Sequence, residues 1–308
     1  MIIIPILYRE EDMEKLIEFL NDNRIPYANK NASEFTTFRI GGPCTAVYPG
    51  SERELINTVN ECLSLGIRYT VLGCGSNVLF SDSGYDGAVI LTQSLNSVRV
   101  EGKTVYACCG APLHTVCRAA YNAGLSGAEF AYGIPGSVGG AVFMNAGAYG
   151  GEMKDIVRSV TAFSPDTGRI AVLSAEECNF GYRHSIFEDN GFIILSAVME
   201  LTPDDKEVIK AKMDDLIERR KSKQPLNYPS AGSTFKRYPG RYTGQMIEEA
   251  GLKGYTVGGA AVSEKHAGFV INKGGATAGD VLTLVDHIKK VIKEREGIEI
   301  ECEIRVID

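Results

Sequence analysis

Three short polar runs carry residue types able to act on a small anionic substrate. Phe180-Gly181-Tyr182-Arg183-His184-Ser185-Ile186-Phe187 sets an arginine among aromatics. The planar fork of an arginine clamps a carboxylate; the plain alternative is a surface or stacking residue. Ala231-Gly232-Ser233-Thr234-Phe235-Lys236 offers a hydroxyl after a turn, and reads equally as the start of a strand. A serine hydroxyl is a weak acid, so it gives up a proton only to a strongly basic partner held close. In Ile300-Glu301-Cys302-Glu303-Ile304-Arg305-Val306 the charges alternate with apolar neighbours at period two. By pattern alone that is the solvent face of an edge strand. Arg219, Arg220, Lys221 and Lys223 precede Pro225. They read as a solvated helix end, where cations complement the dipole, or as contacts to a diphosphate.

Two glycine-rich runs stand upstream. Leu72-Gly73-Cys74-Gly75-Ser76-Asn77-Val78-Leu79 follows an apolar strand. Its glycines let successive N–H groups converge on an anion, although such a run is also an ordinary tight turn. No Lys follows, and no third Gly opens a long helix, so it is neither a Walker nor a Rossmann motif. Gly133-Ile134-Pro135-Gly136-Ser137-Val138-Gly139-Gly140-Ala141 continues into Asn145-Ala146-Gly147-Ala148-Tyr149-Gly150. This density suits close approach of a flat or diphosphate group near a helix N-terminus. Together the two runs suggest one dinucleotide gripped from two sides; a glycine-lined packing seam is the alternative.

The elements that hold these runs follow from periodicity. Glu10–Arg24 reads as an amphipathic helix, with Glu52–Leu65 and Pro112–Asn122 as two more. Ala46–Tyr48, Tyr69–Leu72, Ala88–Leu91, Val98–Val100 and Val105–Ala107 read as strands. Val157–Phe163 and Ile170–Leu173 form a hairpin across Pro165-Asp166-Thr167-Gly168, and Phe192–Leu201 is a further strand. Pro203–Arg220 reads as a helix and Arg219–Pro225 as a boundary or loop. Beyond it come a strand at Ser233–Phe235, a helix at Gly244–Ala250, strands at Ala260–Val262 and Phe269–Asn272, a long helix at Thr277–Glu296 and a final strand at Ile298–Ile307.

The chain has 308 residues and 34 glycines, and two domains are the default for that length. A net charge of -7 argues against a nucleic-acid binder. None of the eight cysteines forms a C-x-x-C pair or stands at metal-ligand spacing, so no metal is expected and reduced thiols fit. Met1–Leu7 is too short for a signal segment, and no apolar run is long enough to span a membrane.

Taken in order, Thr37-Phe38-Arg39-Ile40-Gly41-Gly42, Leu72–Leu79 and Gly133–Gly150 resemble the FAD-binding half of the UDP-N-acetylenolpyruvoylglucosamine reductase family. Similarity runs from about Asn31 to Ile307. The short interval between Arg183 and Ser233 resembles the shorter of two family forms, which lacks a loop carrying a substrate-contacting Tyr. The resemblance implies an α+β fold: a vanillyl-alcohol-oxidase/PCMH-type FAD-binding domain followed by a smaller α+β substrate-binding domain. It implies an N-terminal helical segment, 1–32, packing on the body, then a FAD domain at 33–202 and a substrate domain at 203–308.

The resemblance also implies site residues. Non-covalent FAD would be held by Arg39 and by Gly73, Cys74, Gly75, Ser76 and Asn77. Its further contacts would be Gly133, Pro135, Gly136, Ser137, Gly139 and Gly140, with Asn145, Gly147, Ala148 and Tyr149. Arg183 falls on the arginine of the family's Y-R-x-S motif, Ser233 on the proton donor of A-G-S-x-F-K, and Glu303 on the glutamate of the C-terminal strand. Tyr182, Lys223, Lys236 and Arg237 would meet substrate; one family branch has Asn where Arg237 stands. The implied reaction saturates the enolpyruvyl group of UDP-N-acetylglucosamine enolpyruvate. NADPH reduces FAD and the flavin delivers hydride, giving UDP-N-acetylmuramate for peptidoglycan, and with it cell-wall biogenesis, cell shape and division. The implied protein is a cytoplasmic monomer with no nucleic-acid or membrane partner. Two other readings stand beside it. A related FAD-dependent oxidase would not need Ser233, and could attach flavin through Cys74 or Cys109. A non-catalytic nucleotide-sugar-binding protein would need none of the three catalytic positions.

Overall fold

The computed structural model of the chain describes residues 10–308. The Met1–Leu7 run considered above lies outside them. Helices are α1 (Glu10–Asp22), α2 (Glu52–Ser64), α3 (Leu113–Asn122), α4 (Val138–Phe143), α5 (Ile186–Asn190), α6 (Lys206–Lys223), α7 (Thr243–Glu249) and α8 (Ala278–Glu296). The fold is α+β, and it divides into two compact units that interleave along the chain. One comprises the described residues up to Asn29, Cys44–Gly73 and Asp86–Met213; the other comprises Lys30–Pro43, Cys74–Tyr85 and Asp214–Asp308.

In the first unit a four-stranded sheet runs in the order Tyr27–Asn31, Pro43–Val47, Ala88–Leu91, Tyr69–Leu72. Its last three strands are parallel. Ala88–Leu91 is apolar at every position because it is buried on both faces. The hydroxyl of Ser51 caps α2, accepting the Glu54 N–H at 3.2 Å. Leu16 and Leu20 of α1 bury against Val47, Cys62 and Ile67. A five-stranded antiparallel sheet follows, in the order Arg169–Ser174, Val157–Ser164, Ile193–Glu200, Thr104–Cys108, Val98–Glu101. The expected hairpin is present, with Ser164 opposite Arg169. α3 and α4 pack on this sheet. The Gly139 N–H donates to Cys109 O at 2.7 Å, fastening the start of α4 beside the Thr104–Cys108 strand.

The second unit is built around α8. A small antiparallel sheet orders Thr256–Val257, Ala260–Val262 and Val270–Asn272. A parallel pair joins Val78–Phe80 to Arg305–Ile307. Phe38, Leu79, Phe235, Met246 and Ile288 share its core. The first N–H groups of α8 are well satisfied: Asp82 accepts from Ala278 and Gly279 at 2.7 and 3.1 Å, and Thr277 accepts from Asp280 at 3.0 Å.

Several sequence expectations are corrected. α6 begins at Lys206, because Thr202–Pro203 pairs with Leu125–Ser126 instead. It runs on through Lys223, so most of Arg219–Pro225 is helix; Pro225 ends it by disfavouring helical backbone at Gln224. Ser233–Phe235 makes a single bridge, Phe235 to Cys302, rather than a strand. Only Arg305–Ile307 of the expected Ile298–Ile307 strand is regular. The segment first meets Phe235 and then changes partner to Val78–Phe80, and one ladder cannot serve both. Period two therefore fails: Glu303 is half-buried while Glu301 and Arg305 are exposed.

Candidate active site

In the second unit the glycine-rich turn, Ser233 and Glu303 come together through the backbone. Gly75 sits at φ +58°, and a Cβ there would lie 2.8 Å from Phe35 O, so both conformation and space require glycine. Its carbonyl accepts the Thr37 N–H at 3.1 Å, and the Thr37 hydroxyl donates to Ser230 O at 2.7 Å. This places the Thr36-Thr37 turn beside the segment that leads to Ser233. Thr234, fully buried, is the junction. Its N–H donates to Gly268 O, its hydroxyl accepts the Val270 N–H, and its carbonyl accepts the Glu303 N–H, all at 2.8 Å. The Lys236 N–H donates to Glu301 O at 2.9 Å. Ser233 and Glu303 are both half-buried, on facing segments that these bonds zip together. Asn77 joins the same cluster: its Nδ2 donates to Glu303 O at 3.0 Å.

His266 lies behind this junction. Its Nδ1 accepts the Gly268 N–H at 3.1 Å. Burial pushes its pKa down, which favours the neutral ring that this bond needs. Lys236 pairs with Glu301 at 3.2 Å, and Arg237 stacks 5.0 Å from the Tyr242 ring centre. Lys223 is the exposed last residue of α6. Arg39 is exposed at φ +56°. With Tyr228, Asn272, Lys273, Gly274 and Gly275 it lines an open pocket of about 410 Å³.

In the first unit the second glycine-rich run wraps the start of α4. The Val138 and Gly139 N–H groups are taken by Ala111 O and Cys109 O. The Ser137 hydroxyl, only 2% exposed, has no hydrogen-bond partner. A Cβ on Gly73 would lie 2.0 Å from that hydroxyl. Gly136 and Gly140 flank Ser137 along the run, with Gly133 and Pro135 leading into it. Asn145 is fully buried at φ +44°. Its Nδ2 donates to Gly181 O at 2.8 Å and to Glu152 Oε2 at 3.0 Å, and its Oδ1 accepts the Lys154 N–H at 2.9 Å. Arg183 stands two residues beyond Gly181, in a turn closed by the Gly181–His184 bridge. It is half-buried at φ +54°, donates from Nη2 to Gly147 O at 3.1 Å, and lies 5.3 Å from the Tyr182 ring centre. Gly147 leads through Ala148 to the exposed Tyr149, itself at φ +54°. Arg39, Asn145, Tyr149 and Arg183 are thus four of the six described non-glycine residues with positive φ. Such backbone costs of order 1–3 kcal/mol and concentrates at functional sites.

The structure therefore gathers Ser233, Glu303 and the glycine-rich turn in one unit, and Arg183 with Ser137 and Gly147 in the other. Sequence reading missed Asn145 as the brace of the Arg183 turn, Glu152 beside it, and Thr234 as the junction. Asn145 and Thr234 act by contacts between residues distant in the chain, which no local pattern announces. Among the described residues no group of three or more His, Cys, Asp or Glu is placed to hold a metal ion. No helix there is long and apolar enough to cross a membrane.

Residues 43–174 match an FAD binding domain, and residues 224–307 match the UDP-N-acetylenolpyruvoylglucosamine reductase C-terminal domain. The UDP-N-acetylenolpyruvoylglucosamine reductase of Caldanaerobacter subterraneus subsp. tengcongensis is 48% identical over 296 residues, covering 96% of this chain and 97% of the relative. That of Clostridium novyi is 46% identical over 96% of each. The crystal structure of the reductase from Thermus caldophilus superposes with a TM-score of 0.80 at 35% identity, over 92% of this chain and 100% of that one. The chain belongs to the UDP-N-acetylenolpyruvoylglucosamine reductase family.

Proposed function

We propose that this chain reduces the enolpyruvyl ether of UDP-N-acetylglucosamine enolpyruvate to the lactyl ether of UDP-N-acetylmuramate, with FAD as cofactor and NADPH as reductant. Its product feeds peptidoglycan synthesis. The observation that carries the reading is the zipped pair of segments at the glycine-rich turn: Thr234, next in the chain to Ser233, accepts the Glu303 N–H, and Asn77 donates to the Glu303 carbonyl.

The residues fit FAD. A buried hydroxyl with no partner is costly, about 1–3 kcal/mol. Ser137 is such a donor, in a run where Gly136 precedes it and Gly139 and Gly140 follow within three residues. A diphosphate oxygen is the chemistry it lacks. Ser137, Gly73, Gly136 and Gly140 would hold the diphosphate, with Gly133, Pro135, Gly139, Gly147, Ala148 and Tyr149 lining the same wall. Cys74, Gly75, Ser76 and Arg39 would be further contacts to the cofactor. When bound, FAD supplies the two-electron chemistry, accepting hydride from NADPH and passing it to the carbon–carbon double bond. Attachment is non-covalent in this reading. Burial pushes the Cys109 thiol up to about 12 and raises that of Cys74, so neither is a ready nucleophile.

The chain's own groups do the rest. The Arg183 guanidinium, steadied by Gly147 O, faces the substrate carboxylate and stabilises the charge that develops there. The Ser233 hydroxyl donates a proton to the carbon that bears the carboxylate. The Glu303 carboxyl stands beside the charge and assists in protonated form. Tyr182, Lys223, Lys236 and Arg237 contact the nucleotide sugar. In division of labour, 33–202 carries the cofactor and 203–308 the substrate. The protein acts in this reading as a cytoplasmic monomer without nucleic acid.

The test is anaerobic. Flavin colour is followed as NADPH is added first and the enolpyruvyl substrate second. Bleaching and then recovery are expected. Bleaching reversed only by oxygen would give an oxidase-like flavoprotein with another substrate. Absence of flavin, with no reloading by FAD, would favour a binding protein. Ser233→Ala should still bleach with NADPH, while substrate-driven recovery slows by roughly 10²–10⁴-fold. Recovery at the parent rate would remove Ser233 as proton donor.

A further inference from the structure

The C-terminal segment changes partner at the residue that matters. At Cys302 it bridges antiparallel to Phe235; from Arg305 it runs parallel to Val78–Phe80. A chain that swaps partners interrupts its own ladder, and the main-chain groups at the swap must find other bonds. The swap falls on Glu303 and Ile304. The Glu303 N–H still reaches a main-chain group, Thr234 O at 2.8 Å. The Glu303 carbonyl is met by a side chain, Asn77 Nδ2 at 3.0 Å. The Arg305 N–H then returns to Asn77 O, also at 3.0 Å. Asn77 thus holds the chain on both sides of Ile304, and it directly follows the Gly73–Ser76 turn.

We propose that Asn77 is a positioning residue for Glu303: its side-chain amide replaces the ladder bond lost where the C-terminal segment changes partner. The proposal rests on the reading of Glu303 as a catalytic carboxylate. Fixing both the N–H and the C=O of one residue fixes its peptide planes, and with them the direction of its Cα–Cβ bond. Removing the Asn77 donor frees the 303–304 peptide and lets the carboxylate swing. Because Asn77 also closes the glycine-rich turn, the turn and the Glu303 carboxylate are placed as one piece. Glu303 therefore acquires its working geometry from a residue more than two hundred positions away in the chain.

The informative substitution is Asn77→Asp. It keeps the shape and the backbone bond from Arg305, but sets an acceptor against the Glu303 carbonyl. Asn77→Gln is its companion, retaining a donor on a longer arm. Three quantities are measured on purified holoenzyme: flavin content, the rate of bleaching by NADPH, and the rate of recovery with UDP-N-acetylglucosamine enolpyruvate. Because its side-chain amide is spent on the Glu303 carbonyl, Asn77 leaves the set of FAD contacts that the resemblance implies, and for Asn77→Asp flavin content and bleaching should stay within about twofold of the parent. Recovery should fall about 10- to 100-fold, the scale of a small misplacement of a catalytic group. Its pH profile should also move on the limb that Glu303→Gln abolishes. Asn77→Gln should recover part of the rate. Loss of flavin or of NADPH bleaching in Asn77→Asp would make Asn77 a cofactor contact and overturn the proposal. So would a recovery rate and pH profile equal to the parent's. Glu303→Gln separates the two layers. If it leaves recovery intact, the catalytic reading of Glu303 has failed; if it abolishes recovery while Asn77→Asp is silent, only the positioning role has.

Discussion

Gly73 and Ser137 illustrate how a single residue's requirement can be read. Gly73 is not among the glycines with positive φ, so its backbone would accept alanine. What excludes alanine is space, because the new Cβ would lie 2.0 Å from the Ser137 hydroxyl and 3.1 Å from its Cβ. Ser137 is buried and must shift, and it is the donor assigned here to the flavin diphosphate. Overpacking of this kind costs about 1–3 kcal/mol, and the displaced hydroxyl is lost to the cofactor as well. Gly73→Ala should therefore weaken FAD binding roughly ten- to a hundredfold, measured by titrating apoprotein with FAD and following flavin fluorescence. Unchanged affinity would mean that Ser137 does not touch the cofactor. The types and order of Arg183, Ser233 and Glu303 were legible in the sequence because each sits in a recognisable short run. Thr234 and Asn145 were not. Their roles depend on bonds to Gly268, Val270 and Gly181, partners that only the fold brings near.

Among elements, legibility followed the range of the interactions that make them. α1, α2, α3 and the Val157–Ser174 hairpin were visible because amphipathic spacing and turn chemistry are local. The C-terminal strand was misread because its partner change is not. α6 was blurred for a third reason: it is charged nearly all round, with Ile209 and Met213 as its buried apolar residues. A helix so polar needs other anchorage, and Lys212 provides it by reaching Glu129 at 3.1 Å. The Glu129 side chain is only 2% exposed. Burial by itself would raise its pKa. Hydrogen bonds from the Ser126 hydroxyl at 2.6 Å, the Lys212 ammonium and the Gly127 N–H at 3.0 Å outweigh that and hold it below the ordinary carboxylate value. A carboxyl lowered on folding stabilises the native state above its unfolded pKa, and that contribution is lost as pH falls through the folded one. Glu129→Gln should cost about 1–3 kcal/mol at neutral pH. It should also flatten the acid-side loss of stability from about pH 4.5 downward, read from denaturant midpoints across pH. Parallel curves for parent and variant would show that Glu129 is not the titrating anchor.

At the scale of the whole molecule the sequence shows two halves in succession, whereas the compact units are interleaved. The residues from Asp214 onward share a unit with Lys30–Pro43 and Cys74–Tyr85. That sharing is energetic as well as geometric. Phe38, Ile40 and Leu79 come from the two early segments and are at most 2% exposed in the core that holds Ile288, Met246 and Phe235. Val78–Phe80 is also the strand partner of Arg305–Ile307, and Asp82 caps α8 from the same early segment. Removing one large buried apolar side chain costs about 2–5 kcal/mol, and a domain of ordinary size has only about 5–15 kcal/mol of net stability. A fragment beginning at residue 203 would lose three such side chains, a strand partner and a helix cap together. It should therefore fail to fold alone, giving no cooperative thermal transition and collapsed amide dispersion in NMR. Adding the early segments back in one chain, by linking residues 30–43 and 74–85 to 214–308, should restore a cooperative transition even with the first unit absent. A cooperative transition in the bare 203–308 fragment would show instead that α8 and the small sheet suffice, with the early segments merely laid against a finished core.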